Sequence, residues 1–314
     1  MTINETFPPN INAAKMDSPG NRRLRFLWLE ITGKCQLTCS HCYASSSPTG
    51  THGAMTPADW RQVITQAAVL GVRTVQFIGG EPTLHPHLTE LIDQALTSGL
   101  RVEVFSNLVR VTPQLWETFA RPGVSLATSY YADTPEQHEA ITQRRGSYLR
   151  TKTNIGEAVR RSIPLRVGII DLGGQQRTQQ ARVELTALGV TSIAVDHLRQ
   201  VGRGIRDLVP SVGQLCGQCA DGVAAIAPDG AVWPCVFARW MPLGNVRTSA
   251  LADIMGGPAL GTARKQIAAA VPSGICNPNC CPSNMCDPQC SPSCSPSCRP
   301  AGNCTPSGNC APAY

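Results

Sequence analysis

Residues 25–42 read RFLWLEITGKCQLTCSHC, an apolar run that leads directly into three cysteines. The apolar half, residues 25–31, is typical of a buried strand. Five similar runs follow along the chain, and helical patterns lie between them. These runs cover residues 72–78, 101–107, 124–131, 164–170 and 191–198. Because strands and helices alternate throughout, the sequence predicts an α/β protein with a parallel sheet and helices outside it.

The helical patterns carry recognisable start signals. Trp60, Val63, Ile64 and Ala67 recur at helical spacing, and Thr56 before them is a candidate N-cap. Further helices are predicted over residues 88–95, 113–120, 154–162 and 178–188. Crossovers in such a sheet are right-handed. Ligands of open parallel sheets bind at the carboxyl ends of the strands, so a binding site is expected there. Periodicity does not distinguish a curled partial barrel from an open sheet.

Composition narrows the classes of protein that the chain can belong to. The net charge is +6, but the arginines are scattered without a basic run, which disfavours nucleic-acid binding. No apolar stretch approaches the roughly 20 residues of a membrane span, and residues 1–24 lack the apolar core of a secretory signal. Fifteen cysteines without an export signal indicate bound metal in a cytoplasmic protein rather than disulfides.

The spacing of Cys35, Cys39 and Cys42 indicates the kind of metal centre. They follow the first strand as CxxxCxxC, so three thiolates lie in one tight loop. Three ligands fill three corners of an iron–sulfur cubane and leave one iron open to an exogenous ligand. A structural zinc site would need four ligands. On this motif alone, zinc or redox cysteines remain the alternative.

CQLTCSHC resembles the signature of the radical S-adenosylmethionine (SAM) superfamily, with His41 in its aromatic position. The second strand ends in Gly79-Gly80-Glu81-Pro82, which is similar to the GGEP motif that holds the SAM amino group in that family. A carboxylate pairs with an ammonium group, and glycines let the backbone approach the ligand. The resemblance implies a [4Fe-4S] cluster that cleaves SAM to a 5′-deoxyadenosyl radical, which abstracts a substrate hydrogen.

The same resemblance implies a fold and further SAM contacts. The fold would be a partial (β/α)6 TIM-like barrel over residues 25–207, preceded by a lead-in at 1–24. Ser106 and Asn107 end the third strand, and Ser129 lies near the end of the fourth, where relatives place polar contacts to SAM. For Ser129, an ordinary serine at a strand end is the alternative.

Two histidines follow the GGEP motif. His85 and His87 lie in a loop bounded by prolines, so both are expected at the surface.

A second set of cysteines resembles the SPASM domain, the auxiliary-cluster module of many peptide-modifying radical SAM enzymes. Cys219, Gly230 and Cys235 are spaced as CX10GX4C, and residues 280–290 contain a CX5CX3C element, both as in that domain. One departure is Cys276, which forms CX3C with the next cysteine where the family has CX2C.

The resemblance assigns one or two auxiliary [4Fe-4S] clusters to a cysteine-rich, SPASM-like domain at residues 208–314. The ligands of the first would be Cys216, Cys219, Cys235 and Cys290. The ligands of the second would be Cys276, Cys280, Cys286 and one tail cysteine, Cys310 or its competitors Cys294, Cys298 and Cys304. Cys281 adjoins a ligand and would return a hydrogen atom to a substrate radical, or else serve as a spare ligand.

Relatives with a SPASM domain divide into two functional groups. One group matures ribosomally synthesised peptides by crosslinking, epimerisation or oxidation, and the other epimerises or oxidises sugars and aminocyclitols in antibiotic pathways. The cysteine set favours the peptide group, as do residues 133–148, which look like the segment after the fourth strand in peptide-modifying members. A non-catalytic metal-binding protein is the alternative of another class, and the intact Glu81 argues against it.

The expected partners follow from this hypothesis. They are a peptide or small-molecule substrate, an electron donor such as flavodoxin or ferredoxin, and a leader-peptide recognition protein. The lead-in at residues 1–24 is too short for an appended recognition domain, so either a separate protein would supply that function or the substrate would be a small molecule.

Overall fold

A computed structural model describes residues 23–205 and 209–270 of the chain. Most of the predicted lead-in and all the predicted ligands from Cys276 onward, together with Cys281, lie outside the described residues. Within these ranges, no helix is long and apolar enough to cross a membrane.

Nine strands form one sheet, and eight helices accompany them in the described part of the chain. The strands are β1 (Phe26–Thr32), β2 (Thr74–Gly79), β3 (Arg101–Phe105), β4 (Val124–Tyr130), β5 (Leu165–Asp171), β6 (Ser192–His197), β7 (Val223–Ile226), β8 (Ala231–Trp233) and β9 (Gly244–Asn245). The helices are α1 (Pro57–Val69), α2 (Leu88–Thr97), α3 (Pro113–Phe119), α4 (Pro135–Thr142), α5 (Ser147–Arg160), α6 (Thr178–Ala187), α7 (Leu251–Gly256) and α8 (Pro258–Ala270).

The order of the strands is β6-β5-β4-β3-β2-β1-β7-β8-β9. Strands β1 to β6 pair in parallel with their sequence neighbours, which confirms the predicted parallel α/β architecture of a partial barrel. Strand β7 also pairs in parallel with β1, so the C-terminal region begins by extending the same sheet. The parallel register brings the carboxyl ends of β1, β2 and β3 to one edge.

The two faces of the sheet differ in polarity. Leu29, Phe77 and Val104 are partners across three strands and are fully buried in the hydrophobic core that the helices share. Glu103 precedes Val104 on β3 and therefore points to the opposite face, where it accepts two hydrogen bonds of 2.7 Å from the Arg166 guanidinium. This face of the sheet therefore carries an ion pair between a buried carboxylate and a partly buried guanidinium.

Helix α1 forms where the sequence predicts it, because Thr56 and Asp59 close a capping box at its start. Helix α4 was not predicted. Its buried side chains are His138 and Thr142, so the segment lacks the apolar periodicity that identifies a helix, although Thr134 caps it. Helix α5 also begins seven residues before the predicted 154.

Candidate metal centres and cofactor site

The cysteine loop, residues 33–47, begins where β1 ends. At its two ends, the Cys35 amide donates to the Ser47 carbonyl oxygen over 3.0 Å. In its middle, the Ser40 amide donates to the Ile141 carbonyl oxygen in α4 over 2.9 Å. The loop is therefore held both by itself and by a helix about 100 residues further along the chain.

Three free thiols lie in this loop. Cys35 is buried, and Cys39 and Cys42 are partly buried. Burial raises the pKa of the Cys35 thiol, and it raises the pKa of the Cys39 thiol to about 12. A buried thiol gives up its proton when a metal cation takes its place, so this donor set fits an iron–sulfur cluster. In the described ranges no three His, Cys, Asp or Glu side chains could hold a single metal ion, whereas each cysteine of a cubane binds its own iron.

Glu81 is fully buried at the end of β2. Its Oε1 accepts hydrogen bonds from the Thr83 and Ser106 hydroxyls, each over 2.7 Å, and from the Thr83 amide over 3.1 Å. Its Oε2 accepts one, from the Asn107 amide over 2.7 Å. Burial raises the pKa of Glu81, and these hydrogen bonds oppose that shift. Oε2 keeps a second acceptor position, as the binding of an ammonium group would require.

The structure adds a second reason for the two glycines before Glu81. A Cβ at Gly79 would lie 2.3 Å from the Thr32 carbonyl oxygen, and one at Gly80 would lie 2.3 Å from that of Lys34. The Gly80 amide donates to the Thr32 oxygen over 2.6 Å, and the Glu81 amide donates to the Lys34 oxygen over 2.8 Å. The glycines therefore let the end of β2 approach the backbone of β1 and the cysteine loop, and not only a ligand.

Asn107 joins Glu81 to the cysteine loop. Its amide binds the Glu81 carboxylate, its Nδ2 lies 3.6 Å from the Cys35 sulfur, and its Oδ1 accepts from Gln36 Nε2 over 3.0 Å. Ser106 binds the same carboxylate. The ends of β1, β2 and β3 thus bring together four predicted site residues, namely Cys35, Glu81, Ser106 and Asn107.

His41 and Ser129 meet through Tyr131. The His41 ring lies edge-on to the Tyr131 ring with centroids 5.0 Å apart, and the Tyr131 side chain lies beside the side chains of Cys39 and Ser129. Burial lowers the pKa of His41 to about 4, so the ring is neutral at neutral pH. Its Nδ1 is buried and has no hydrogen-bond partner among the described residues. Pro82, the remaining predicted contact, is buried and starts a short 3-10 helix.

The described cysteines of the C-terminal region line a cavity away from the cysteine loop. This auxiliary pocket has about 220 Å³ of space, open solvent included, and is lined by Trp28, Cys216, Cys219, Val223, Cys235, Val236 and Phe237. The sulfurs of Cys219 and Cys235 are 2.7 Å apart, longer than the ~2.05 Å of a disulfide. Three of the four predicted ligands of the first auxiliary cluster therefore line one cavity, and their thiols fit that group.

Gly230 explains how Cys235 returns to Cys219. It lies in the turn between the antiparallel strands β7 and β8, and its φ of +87° is a conformation that glycine adopts without strain. Its amide donates to the Ala227 carbonyl oxygen over 2.9 Å and closes the turn.

Sequence reasoning missed a link between the two sites. Glu30 on β1 binds the Arg239 guanidinium, which lies 5.4 Å from the centre of the Tyr43 ring. The Tyr43 ring in turn packs edge-on against Phe237 of the auxiliary pocket, with centroids 5.5 Å apart. The available sequence signal was a single charged residue, Glu30, inside an apolar strand.

Two histidines after the GGEP motif were expected at the surface, and His85 contradicts this. It is 7% exposed and its ring packs edge-on against His52, whereas the side chain of His87 is 38% exposed and contacts Glu90. His197 at the end of β6 is exposed.

The sequence pattern of the radical SAM superfamily matches residues 29–185, which is half of the chain. The chain belongs to the radical SAM superfamily. The pattern of the SPASM iron–sulfur cluster-binding domain matches residues 216–282. The first match contains the cysteine loop and Glu81, and the second contains the three pocket cysteines. The cofactors that these families imply are SAM and [4Fe-4S] clusters.

Two curated proteins illustrate the range of relatives. The PqqA peptide cyclase of Ruegeria pomeroyi is 28% identical over 193 residues, 59% of this chain and 51% of that protein. The AdoMet-dependent heme synthase of Methanosarcina barkeri is 27% identical over 182 residues, 57% of this chain and 52% of that protein. The chain spans about half the length of the curated relatives it matches.

Solved structures share the fold. Streptococcus suis SuiB bound to the precursor peptide SuiA has a TM-score of 0.65 at 14% identity, covering 77% of this chain and 67% of that one. The structure of anSMEcpe with bound AdoMet has a TM-score of 0.60 at 11% identity, covering 76% and 82%. At these identities the likeness concerns the fold.

Proposed function

We propose that this radical SAM protein modifies a ribosomally synthesised peptide by crosslinking, epimerisation or oxidation. The observation that carries the proposal is the hydrogen-bonded connection from the Cys35 sulfur through Asn107 to the Glu81 carboxylate. It joins the residue types that hold a cluster to the residue types that hold an amino acid ligand. A peptide substrate is supported by the names of two similar proteins, a PqqA peptide cyclase and SuiB bound to a precursor peptide.

Each part of the site has a separate task in this proposal. Cys35, Cys39 and Cys42 hold the cluster, and Glu81 accepts a hydrogen bond from the SAM ammonium group at Oε2. Ser106 and Asn107 orient that carboxylate, so SAM meets an acceptor that is already fixed. When bound, the cluster and SAM together supply one-electron cleavage of the bond between sulfur and the 5′ carbon, which yields a 5′-deoxyadenosyl radical.

The auxiliary clusters belong to the same proposal. Cys216, Cys219 and Cys235 would bind the first, with Cys290 as fourth ligand, in a domain that begins near residue 208. The second would use Cys276, Cys280, Cys286 and Cys310. An electron donor such as flavodoxin or ferredoxin and a separate leader-peptide recognition protein complete the expected partners, and the net charge of +6 suits acidic ones.

The basal activity is tested on anaerobically reconstituted protein reduced with dithionite. We expect 5′-deoxyadenosine to form from SAM, as measured by liquid chromatography, and none to form with the matched Cys42→Ala variant. Iron-loaded, reduced wild-type protein that forms no 5′-deoxyadenosine would overturn the enzyme proposal.

The substrate class is tested with the peptide that a short reading frame beside the gene encodes. A mass change in this peptide that requires SAM and is absent with Cys42→Ala would support peptide modification. An unmodified peptide in the presence of active, SAM-cleaving enzyme and the neighbouring recognition protein would contradict it, and modification of a sugar or aminocyclitol would replace it.

A further inference from the structure

The segment GRGI at Gly202–Ile205 forms one turn of 3-10 helix after β6 and lies against the cysteine loop. The Arg203 amide donates to the Cys42 carbonyl oxygen over 2.9 Å. The Arg203 Nε donates to the Cys39 carbonyl oxygen over 2.8 Å. One residue therefore binds the backbone of two predicted cluster ligands, although it lies 164 residues from Cys39.

The flanking glycines show how close this approach is. A Cβ at Gly202 would lie 2.2 Å from the Tyr43 carbonyl oxygen and 2.4 Å from that of Cys42, and the φ of Gly202 is +56°. A Cβ at Gly204 would lie 2.7 Å from the Arg199 carbonyl oxygen. Only residues without a side chain fit on either side of Arg203, so the segment is shaped to place this guanidinium against the loop.

One donor of the Arg203 guanidinium lacks an acceptor among the described residues. Arg203 Nη2 is buried and has no hydrogen-bond partner among residues 23–205 and 209–270. An arginine stays charged at any physiological pH, and a buried donor of a charged group is costly to leave without an acceptor. Such a donor in the wall of a cofactor site indicates an acceptor that arrives with the cofactor.

We propose that Arg203 is a positioning residue that clamps the cysteine loop and directs Nη2 at an anionic acceptor of the bound cofactor. The acceptor is either a sulfur of the cluster on Cys35, Cys39 and Cys42 or the carboxylate of SAM. This inference rests on the proposed function only in requiring that cluster, and not in requiring a peptide substrate. A hydrogen bond and a positive charge at a cluster sulfur stabilise the reduced cluster and raise its reduction potential. The same bond to the SAM carboxylate would instead tighten SAM binding.

The test compares the full-length, reconstituted wild type with Arg203→Gln, Arg203→Lys and Arg101→Gln. Arg101 is exposed at the opposite end of β3 and controls for the loss of one positive charge. For each protein we would measure iron per chain, the SAM dissociation constant and the reduction potential without SAM, by electron paramagnetic resonance. The signal of this cluster is identified by its absence from Cys39→Ala. If the wild type itself lacks this signal, the proposed function is contradicted, and the comparison of the Arg203 variants does not apply.

We expect Arg203→Gln to change one of two quantities while Arg101→Gln matches the wild type. A lower potential without SAM assigns Nη2 to a cluster sulfur. An unchanged potential with SAM binding weaker by about tenfold or more assigns it to the SAM carboxylate. An iron-loaded Arg203→Gln variant with wild-type potential and SAM affinity would overturn the proposal.

Arg203→Lys decides the case in which Arg203→Gln fails to fold or to load. Lysine keeps the charge but cannot reproduce two donors of a planar fork. We then expect an iron-loaded lysine variant with weaker SAM binding or an altered potential. Wild-type values in that variant would overturn the proposal, and selective loss of about four irons from folded protein would support the clamp.

Discussion

The cysteine loop and the auxiliary pocket hold their cysteines by different means. In the loop, polar groups contact the predicted ligands: Asn107 approaches the Cys35 sulfur, and Arg203 binds the carbonyl oxygens of Cys39 and Cys42. In the pocket, the cysteines lie among apolar and aromatic side chains such as Trp28 and Phe237. A polar wall can receive a charged ligand such as SAM, whereas apolar walls leave the thiolates to be balanced by metal alone.

The first prediction separates the two regions by their ligands and has the largest expected effect. Cys39→Ala should abolish formation of 5′-deoxyadenosine and remove about four irons, because two cysteines cannot hold the cluster. Cys219→Ala should lower the iron content but leave SAM cleavage measurable, since the pocket is lined by other elements than the loop. Iron analysis and chromatography check both, and a Cys219→Ala variant that keeps the loop cluster but cleaves no SAM would contradict the separation.

The second prediction concerns the contact between the regions. Arg239→Met leaves the carboxylate of Glu30, 1% exposed, without its cation, and should lower the free energy of unfolding by about 3–5 kcal/mol. The pKa of Glu30 is already raised by burial, so an unpaired carboxylate there is costly. Urea denaturation measures the loss.

The control for this ion pair is the double variant Glu30→Gln/Arg239→Met. It removes both charges and should recover part of the stability that the single variant loses. Equal losses in the single and double variants would mean that the pair does not couple the two regions.

The third prediction tests the close approach of β2 to the cysteine loop. Gly80→Ala places a Cβ 2.3 Å from the Lys34 carbonyl oxygen and should destabilise the protein by about 1–3 kcal/mol. Gly156→Ala in α5 is the matched control, because a Cβ there meets nothing within 4 Å and alanine favours a helix by about 0.5–1 kcal/mol. Denaturation curves that coincide for the two variants would refute this role of Gly80.

The sequence predicted the first six strands because buried parallel strands are continuous apolar runs, and β1 at Phe26–Thr32 differs from the expected 25–31 by one residue. It also placed Glu81 and Asn107 at neighbouring strand ends, since parallel pairing brings those ends together. The individual roles of the site residues remain predictions.

The rest could not be predicted because it depends on contacts across long stretches of chain. Arg239 binds Glu30 across a separation of 209 residues, and Arg203 binds the Cys39 carbonyl oxygen across 164 residues. No local sequence pattern predicts either contact. His85 was expected at the surface because its loop is bounded by prolines, whereas the ring packs against His52. Local periodicity reports which face is buried and not which distant residue covers it.

The last prediction has the smallest effect and concerns the aromatic support beneath the cysteine loop. His138 of α4 packs edge-on against Tyr131, which lies beside Cys39, and burial lowers the pKa of His138 to about 4. The pKa of a histidine in the unfolded chain is about 6.5. Between about pH 6.5 and 4, the unfolded chain therefore binds a proton that the folded protein does not bind. Stability should therefore fall with decreasing pH across this window, by at most about 1.4 kcal/mol per pH unit from this residue.

His138→Phe keeps the ring packing and removes this proton, so its unfolding free energy should depend less on pH than that of the wild type. Urea denaturation at several values between pH 5 and 7.5 gives the slope, with His197→Phe as the matched control because that side chain is 50% exposed. A His138→Phe slope equal to the wild-type slope would mean that the histidine is not held neutral in the folded protein. A smaller slope would show that a buried histidine near the cysteine loop destabilises the protein in acid, whereas no histidine is among the residues that line the auxiliary pocket.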